Sequence, residues 1–420
     1  AMKLIAVLAL LSLAASACDS QQAPSEANGD EPWAALRALG DSLHEAAAVG
    51  EGARAAGSDR ANADGGRYLA EIAVNQLEGG VFGDPDFPAF RPQYPESAHT
   101  GFVNPDNLYE STPIRPGVEY LVRGTRGSTA DLVLQVYAGR PGVKGSLRGI
   151  STLSLDAIEF DADGNFEVRV GPNPPAKNGL LTDDEAGLLL VRWSHSDWAK
   201  ERAGRIEIVR VGGEGEPAPD PDVAEVARRI RAAGAAVPDA AGFWLDFVAK
   251  LRLATFDNQV MAPRSTGGQG LEGQVSAMGK WKLADDEALI VTVPKADTRY
   301  QGLQLGNFWF DALEWANRQT SLSGGQAQLA SDGAYHYVIS RQDPGVPNWL
   351  DTTGLPEGLF FLRFQGLRTP IPEADNPTTQ HVKLADLRAH LPADTPVFSP
   401  ADRRRQLALR QLQVQRRFGR

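Results

Sequence analysis

Apolar positions in this chain recur with two different spacings, and those spacings divide it into segments. From 32 to 80 the spacing is helical: Trp33, Leu36, Leu39 and Leu43 share a face, and Tyr68, Leu69, Ile72 and Leu77 resume the pattern after Gly50, Gly52 and Gly57. Gly79 and Gly80 end it. From 81 to 211 short apolar runs (120–122, 132–137, 166–170, 188–193, 206–209) alternate with clusters of Gly, Pro, Asn and Asp. Phe166-Glu167-Val168-Arg169-Val170 alternates residue by residue, as a half-buried strand does. No helical pattern separates these runs, so the spacing predicts antiparallel sheets rather than strand–helix–strand units. Residues 212–222 (GGEGEPAPDPD) read as a linker. Two helical segments are expected over 223–256, the first capped by Asp222 and the second starting near Asp239. Residues 270–370 repeat the strand pattern. Residues 371–420 form a tail ending in an Arg-rich helix from about Pro400.

The two strand regions look like copies of each other. Leu134-Gln135-Val136, Asp163-Gly164, Asn178-Gly179-Leu180 and Leu190-Val191-Arg192-Trp193 match Leu303-Gln304-Leu305, Asp332-Gly333, Asn348-Trp349-Leu350 and Phe361-Leu362-Arg363-Phe364. The offset is 169 at Gln135/Gln304, 170 at Asn178/Asn348 and 171 at Arg192/Arg363. So small a drift implies duplication. The expected fold is mainly β with accessory helices: a tandem pair of similar antiparallel sandwich or jelly-roll-like domains, each preceded by a helical pair. Residues kept in both copies are expected to serve the shared fold.

Composition narrows the function classes. The chain has 420 residues, 42% hydrophobic and 23% charged, with 43 Gly and 28 Pro, which suits a turn-rich globular protein. The net charge is −11, and residues 401–420 carry +6 of it, leaving −17 over 1–400. An acidic body argues against nucleic-acid binding, which needs a basic surface to neutralise phosphates. The tail helix reads as a clasp on that acidic body in preference to a lipid-touching helix, because Gln411 breaks its apolar stripe. Residues 1–17 have the form of an export signal, with Lys3 before the apolar run Leu4 to Leu13. Cys18 is the single cysteine and follows Ala15-Ser16-Ala17, a lipobox-like setting, so lipidation at Cys18 is expected. Residues 18–31 read as a tether. The expected location is the periplasmic side of a bacterial envelope, anchored to membrane through Cys18, with oligomerisation left open.

Candidate chemistry is sparse. The six histidines make no H-E-x-x-H or H-x-H pattern, so no metal site and no cofactor are expected. Asp161 and Asp163 resemble part of a calcium loop, but Val170 stands where a bidentate Glu is needed. Ser194, His195 and Asp197 lie too close together along one segment to form a catalytic triad. Polar–aromatic clusters remain, suited to stacking and hydrogen-bonding a small polar or amphipathic ligand. They nominate Asn107, Tyr109, Arg299, Tyr300, Asn307, Trp309, Arg318 and Trp349 as ligand contacts. Turn chemistry and core packing account for the same residues equally well. Asp106, Asp343 and Asp351 are the candidate acid and base of an enzyme.

The run of Trp281, Ala288-Leu289-Ile290-Val291, Tyr300, Gln304-Leu305-Gly306-Asn307, Asn317 to Leu322, Asp332-Gly333 and Asp343 to Asp351 resembles the bacterial domain of unknown function 1214. Asn104 to Tyr109, and Ser196-Asp197-Trp198 with Glu201, resemble the upstream region related to domain of unknown function 1254. The resemblance covers most of 60–370. It implies β-sandwich domains in exported proteins and no agreed catalytic residue. Gly179 departs from it where an aromatic is usual after Asn. The leading expectation is an envelope lipoprotein binding a small polar or amphipathic, carbohydrate-like ligand in a cleft between the two domains. The alternatives are a carboxylate-dependent hydrolase or lyase acting on a glycan or similar substrate, and a structural scaffold.

Overall fold

The computed structural model describes residues 31–53, 59–93, 100–139, 148–265 and 271–418. The expected signal, Cys18 and nearly all of the tether lie outside them. Among the described residues, 19 strands form four mostly antiparallel sheets, accompanied by a few helices.

The first module holds two sheets. Strands β1 (Arg91–Pro92), β2 (Asn107–Pro113), β8 (Ala186–Ser194), β4 (Asp131–Ala138) and β5 (Arg148–Ser154) lie side by side in that order. Opposite them run β7 (Gly179–Leu181), β6 (Asn165–Gly171), β3 (Tyr120–Thr125) and β9 (Ile206–Arg210). The second module repeats the arrangement. Its first sheet is β10 (Gln259–Val260), β12 (Val275–Lys282), β18 (Glu357–Leu367), β14 (Thr298–Gly306) and β15 (Ser321–Ser323), with β11 (Arg264–Ser265) also on β12. Its second sheet is β17 (Trp349–Asp351), β16 (Ala334–Ser340), β13 (Glu287–Pro294) and β19 (Thr378–Lys383). Both modules carry one parallel pair at the same place, β6 with β7 and β16 with β17.

Several matched residues do the same work in each copy. Gly164 and Gly333 sit at φ 79° and 81°, a left-handed conformation that glycine adopts without a Cβ penalty. The carbonyl of Gly164 accepts from Arg126 N, and that of Gly333 from Lys295 N. The amide side chain of Asn178 brackets the backbone of Glu159, accepting from its N at 2.8 Å and donating to its O at 2.9 Å. Asn348 brackets Gln328 in the same way, at 2.7 and 2.8 Å.

Each sandwich has its own core. Tyr120, Leu134, Phe166, Leu189 and Trp193 fill the first, and Trp281, Leu289, Leu303, Tyr337 and Phe360 fill the second. The central strands are buried on both faces. In β8, Leu189, Val191 and Trp193 enter the sandwich core while Leu190, Arg192 and Ser194 face the other way. That second face lies against the matching face of the β12–β18–β14 sheet. Ser194 Oγ donates to Gln365 Oε1 at 2.6 Å, and Gln304 Nε2 donates to Val103 O at 2.9 Å across the junction.

The helices depart from expectation at one point. α1 (Pro32–Gly52) and α2 (Asp59–Val81) are separate, but 223–256 is not a helical pair. It is one 32-residue helix, α3 (Val223–Ala254), with Pro238 inside it. A proline removes one backbone hydrogen bond and crowds the carbonyl four residues back. That residue is Gly234, packed against Leu39 and Ser42 of α1. Burial of Ala233, Val237, Ala240 and Ala241 against α1 and α2 holds the helix through the proline. Asp222 caps it, its carboxylate accepting from Glu225 N at 2.7 Å. The second module also extends past 370, because β19 pairs with β13. Only Val382 of β19 is buried, so the strand carries no alternating pattern to betray it.

The tail helix α4 (Pro400–Phe418) buries Arg403, Arg410, Val414 and Arg417. Its three buried arginines are spaced by seven and point inward along one face. Arg403 pairs with Asp343 and stacks over Trp349 and Phe398. Arg410 and Arg417 lie over the ring of Trp198.

Candidate functional site

The facing sheets do not close on each other completely. Between them, under α3, is a cavity of about 370 Å³. Period-two alternation aims side chains into it from both modules: Asn107 and Tyr109 of β2, Tyr137 of β4, Leu190 and Arg192 of β8, Ser276 and Met278 of β12, and Phe361 and Arg363 of β18. Phe243, Trp244, Phe247 and Leu251 reach it from α3, one or two helical turns apart. Gly101, Phe102 and Phe310 complete one wall. Phe102 and Phe310 both hold positive φ, 53° and 62°, which is rare for a bulky side chain. They pin each other, Phe102 N donating to Phe310 O at 2.8 Å. The Phe102 ring stacks on Phe361 at 5.6 Å between centroids. Strained backbone of this kind concentrates where a shape must be held for a ligand.

Two buried guanidiniums line the cavity, one from each of the facing sheets, and the exposed Arg264 lines it as well. Arg192 donates to Gln135 Oε1 at 2.9 Å and Tyr137 Oη at 2.7 Å. Arg363 donates to Gln304 Oε1 and to Phe102 O, the latter at 2.6 Å, and lies 3.9 Å over the Phe361 ring. The duplication therefore carries a whole device, Arg on a Gln pedestal, into both copies. These arginines were expected to serve the shared fold; they also line the space between the folds. Both are over nine-tenths buried, and neither pairs with a carboxylate among the described residues. Burial lowers the pKa of Arg363 from its ordinary value, with Tyr109, Tyr300 and Asp106 opposing. Burial raises the Tyr137 hydroxyl, so the phenol beside Arg192 stays neutral and does not offset its charge.

A second buried polar cluster lies deeper in the junction. Asp106 Oδ2 accepts from Tyr300 Oη at 2.6 Å and Oδ1 accepts from Trp198 Nε1 at 2.8 Å. Burial raises the Asp106 pKa, against the pull of Tyr300, Arg417 and Arg410. Arg417 donates to Pro105 O, and Arg410 to Ser321 and Trp315 O. Burial holds each of these guanidiniums down to about 10.

Of the eight residues nominated as ligand contacts, Asn107 and Tyr109 line the cavity. Tyr300 is spent on Asp106 and Asn104. Arg299 bridges Asp131 and Asp156. Asn307 accepts from Trp309 N and Asp311 N to shape a turn. Trp309 docks on α2, against Gly65 and donating to Ala61 O. Arg318 pairs with Asp351 at 3.0 Å. Trp349 lies beside Arg403 and donates to Ser340 O. The three candidate carboxylates are not brought together: Asp106 is in the junction, Asp343 on Arg403, Asp351 on Arg318 and Thr353 N. Ser194 and His195 make separate bonds, to Gln365 and to Trp193 O. No cluster of three metal-ligating side chains occurs among the described residues. Phe102, Arg192, Trp244, Phe361 and Arg363 were not nominated. The signal for the arginines was present: each is a lone charge inside a run of apolar residues too long for a strand with one solvated face.

No family model matches the chain. No curated protein matches it. Its fold is similar to the crystal structure of an uncharacterised protein from Burkholderia cenocepacia, with a TM-score of 0.75 and 28% identity over 84% of this chain and 97% of that one. A protein from Vibrio parahaemolyticus is a distant match, with a TM-score of 0.43 and 12% identity over 76% of this chain and 98% of that one.

Proposed function

We propose that this protein is a cell-envelope lipoprotein, anchored through Cys18, that binds a small amphipathic ligand between its two β modules. In this reading it is a relative of the domain 1214 proteins, with a 1254-like upstream region. The observation that carries the proposal is the cavity itself, walled by aromatic rings and fringed by a few fixed polar groups, which is the usual make-up of a small-molecule site. No Asp or Glu lines it among the described residues. Glycoside cleavage needs two carboxyl groups about 5–9.5 Å apart across the bond. The make-up of the cavity therefore favours binding over a carboxylate-dependent hydrolase or lyase. Its apolar walls also favour an amphipathic ligand over a neutral sugar. A scaffold would have no reason to keep an internal space, since unfilled volume weakens packing.

The test is thermal denaturation with decyl-chain amphiphiles and with mono- and disaccharides, on the wild type and on Met261→Trp, which fills the cavity. An amphiphile at a hundredfold excess over its Kd should add about 2.7 kcal/mol of stability, and the filled variant should not respond. Stabilisation by saccharides alone, or an equal response in Met261→Trp, sinks the proposal.

A further inference from the structure

We infer that the ligand is an anionic amphiphile, a monocarboxylate-like head on an aliphatic or aromatic body, and that Arg192 and Arg363 hold its head group. The inference rests on the binding function proposed above and specifies the class of ligand. Buried charges in proteins are paired, because an uncompensated ion in a low-dielectric interior is costly. Arg192 and Arg363 break that rule: they are 8% and 6% exposed and make no ion pair among the described residues. The wider junction has the same excess. Arg410 and Arg417 are buried there too, and Asp106 accepts its bonds from Tyr300 and Trp198 and draws on both those guanidiniums. Tyr137 stays protonated and Gln135 and Gln304 are neutral, so the pedestals orient the charges without cancelling them.

Arg192 spends two N–H groups on Gln135 and Tyr137, and Arg363 two on Gln304 and Phe102 O, leaving the rest of the five donors of each for another acceptor. A planar fork with fixed orientation matches the two oxygens of a carboxylate. The remainder of the ligand is specified by Phe243, Trp244 and Phe247 of α3 and by Met278 of β12, which give the cavity apolar surface and ring faces.

The experiment compares decanoate, decan-1-ol and decyltrimethylammonium by calorimetry on the wild type, Arg192→Gln and Arg363→Gln. Decanoate is expected to bind about tenfold or more tighter than decanol, the ammonium not at all, and each substitution to bring decanoate close to decanol. Decanol binding as tightly as decanoate, and losing its site in Met261→Trp, overturns the anionic head group while leaving the cavity a binding site. A preference for decanoate that survives both substitutions overturns the assignment to these arginines. No binding by any of the three overturns both conclusions. If the glutamine variants fail to fold by circular dichroism, the lysine variants replace them. Lysine keeps the charge and loses the fork, so decanoate should bind about threefold or more weakly with decanol unchanged; unchanged decanoate affinity in both counts against the inference.

Discussion

His195 shows how a single residue reports the interior it occupies. It is 1% exposed, its Nδ1 is 3.1 Å from Trp193 O, and burial, with Arg417 nearby, holds its pKa down to about 3. The ring is therefore neutral in the folded protein. The unfolded chain takes up a proton below about pH 6.5, so its stability contribution is complete above that value. It is lost as the pH falls from there toward about 3, at up to ~1.4 kcal/mol per pH unit. Urea midpoints at about pH 7.5 and about pH 4.5 should fall further apart in the wild type than in His195→Gln. Parallel losses in the two proteins would mean the ring is charged in the fold. Arg192 and Arg363 teach a different lesson at this scale. Their place in a repeat was visible in the sequence, and their lack of a counter-ion was not, because that depends on everything around them.

Strands position the site by alternation, and β14 shows how narrow the tolerance is. Gly306 ends it, and a Cβ there would lie 1.5 Å from the Phe102 ring. Gly306→Ala must expel that ring from its stack on Phe361, removing one cavity wall. A loss of about 1–3 kcal/mol or more is expected from the forced repacking. Gly66→Ala, in α2 with open space at the same position, should be neutral or stabilising by about 0.5–1 kcal/mol. Urea midpoints of the two variants give the comparison, and a Gly306→Ala protein as stable as wild type would show that the Phe102 wall is not fixed. Elements were legible where their period was clean. β6 and β8 were read from alternation and apolar runs. β19 was missed because only one of its residues is buried. The expected second helix starting near Asp239 is instead a continuation of α3 through Pro238, since contacts with α1 and α2 outweigh the local preference of a proline for a helix end.

The whole molecule joins the two modules through buried polar bonds and through α4, whose Arg410 and Arg417 both lie over Trp198 of the first module, while Arg410 bonds to Ser321 and Trp315 O of the second and Arg417 to Pro105 O of the first. A module released from this junction would expose Asp106, Arg363 and the Phe102–Phe361 stack. Separate unfolding of the modules would therefore give up the apolar burial and the polar bonds of the junction, and a single cooperative transition is expected. Tryptophan fluorescence, which reports the junction through Trp198, Trp244, Trp309 and Trp315, should follow the same urea curve as far-ultraviolet circular dichroism. A fluorescence transition at clearly lower urea would show the junction opening first.

The sequence by itself determined the β-rich class and the alternation that sends Leu189 and Leu303 inward. It also determined the duplicated turns and brackets at Gly164/Gly333 and Asn178/Asn348. The class, the alternation and the glycine turns follow from backbone geometry and local period, which act over a few residues, and the brackets, which reach 19 and 20 residues back, show in the sequence because the duplication repeats them. The tertiary structure decided which faces of the two copies meet, that α3 covers the gap, and that Arg192 and Arg363 share one cavity although 171 positions separate them. Those outcomes depend on burial and on the pairing of charges between distant segments, and no local pattern encodes the neighbour a side chain will find there.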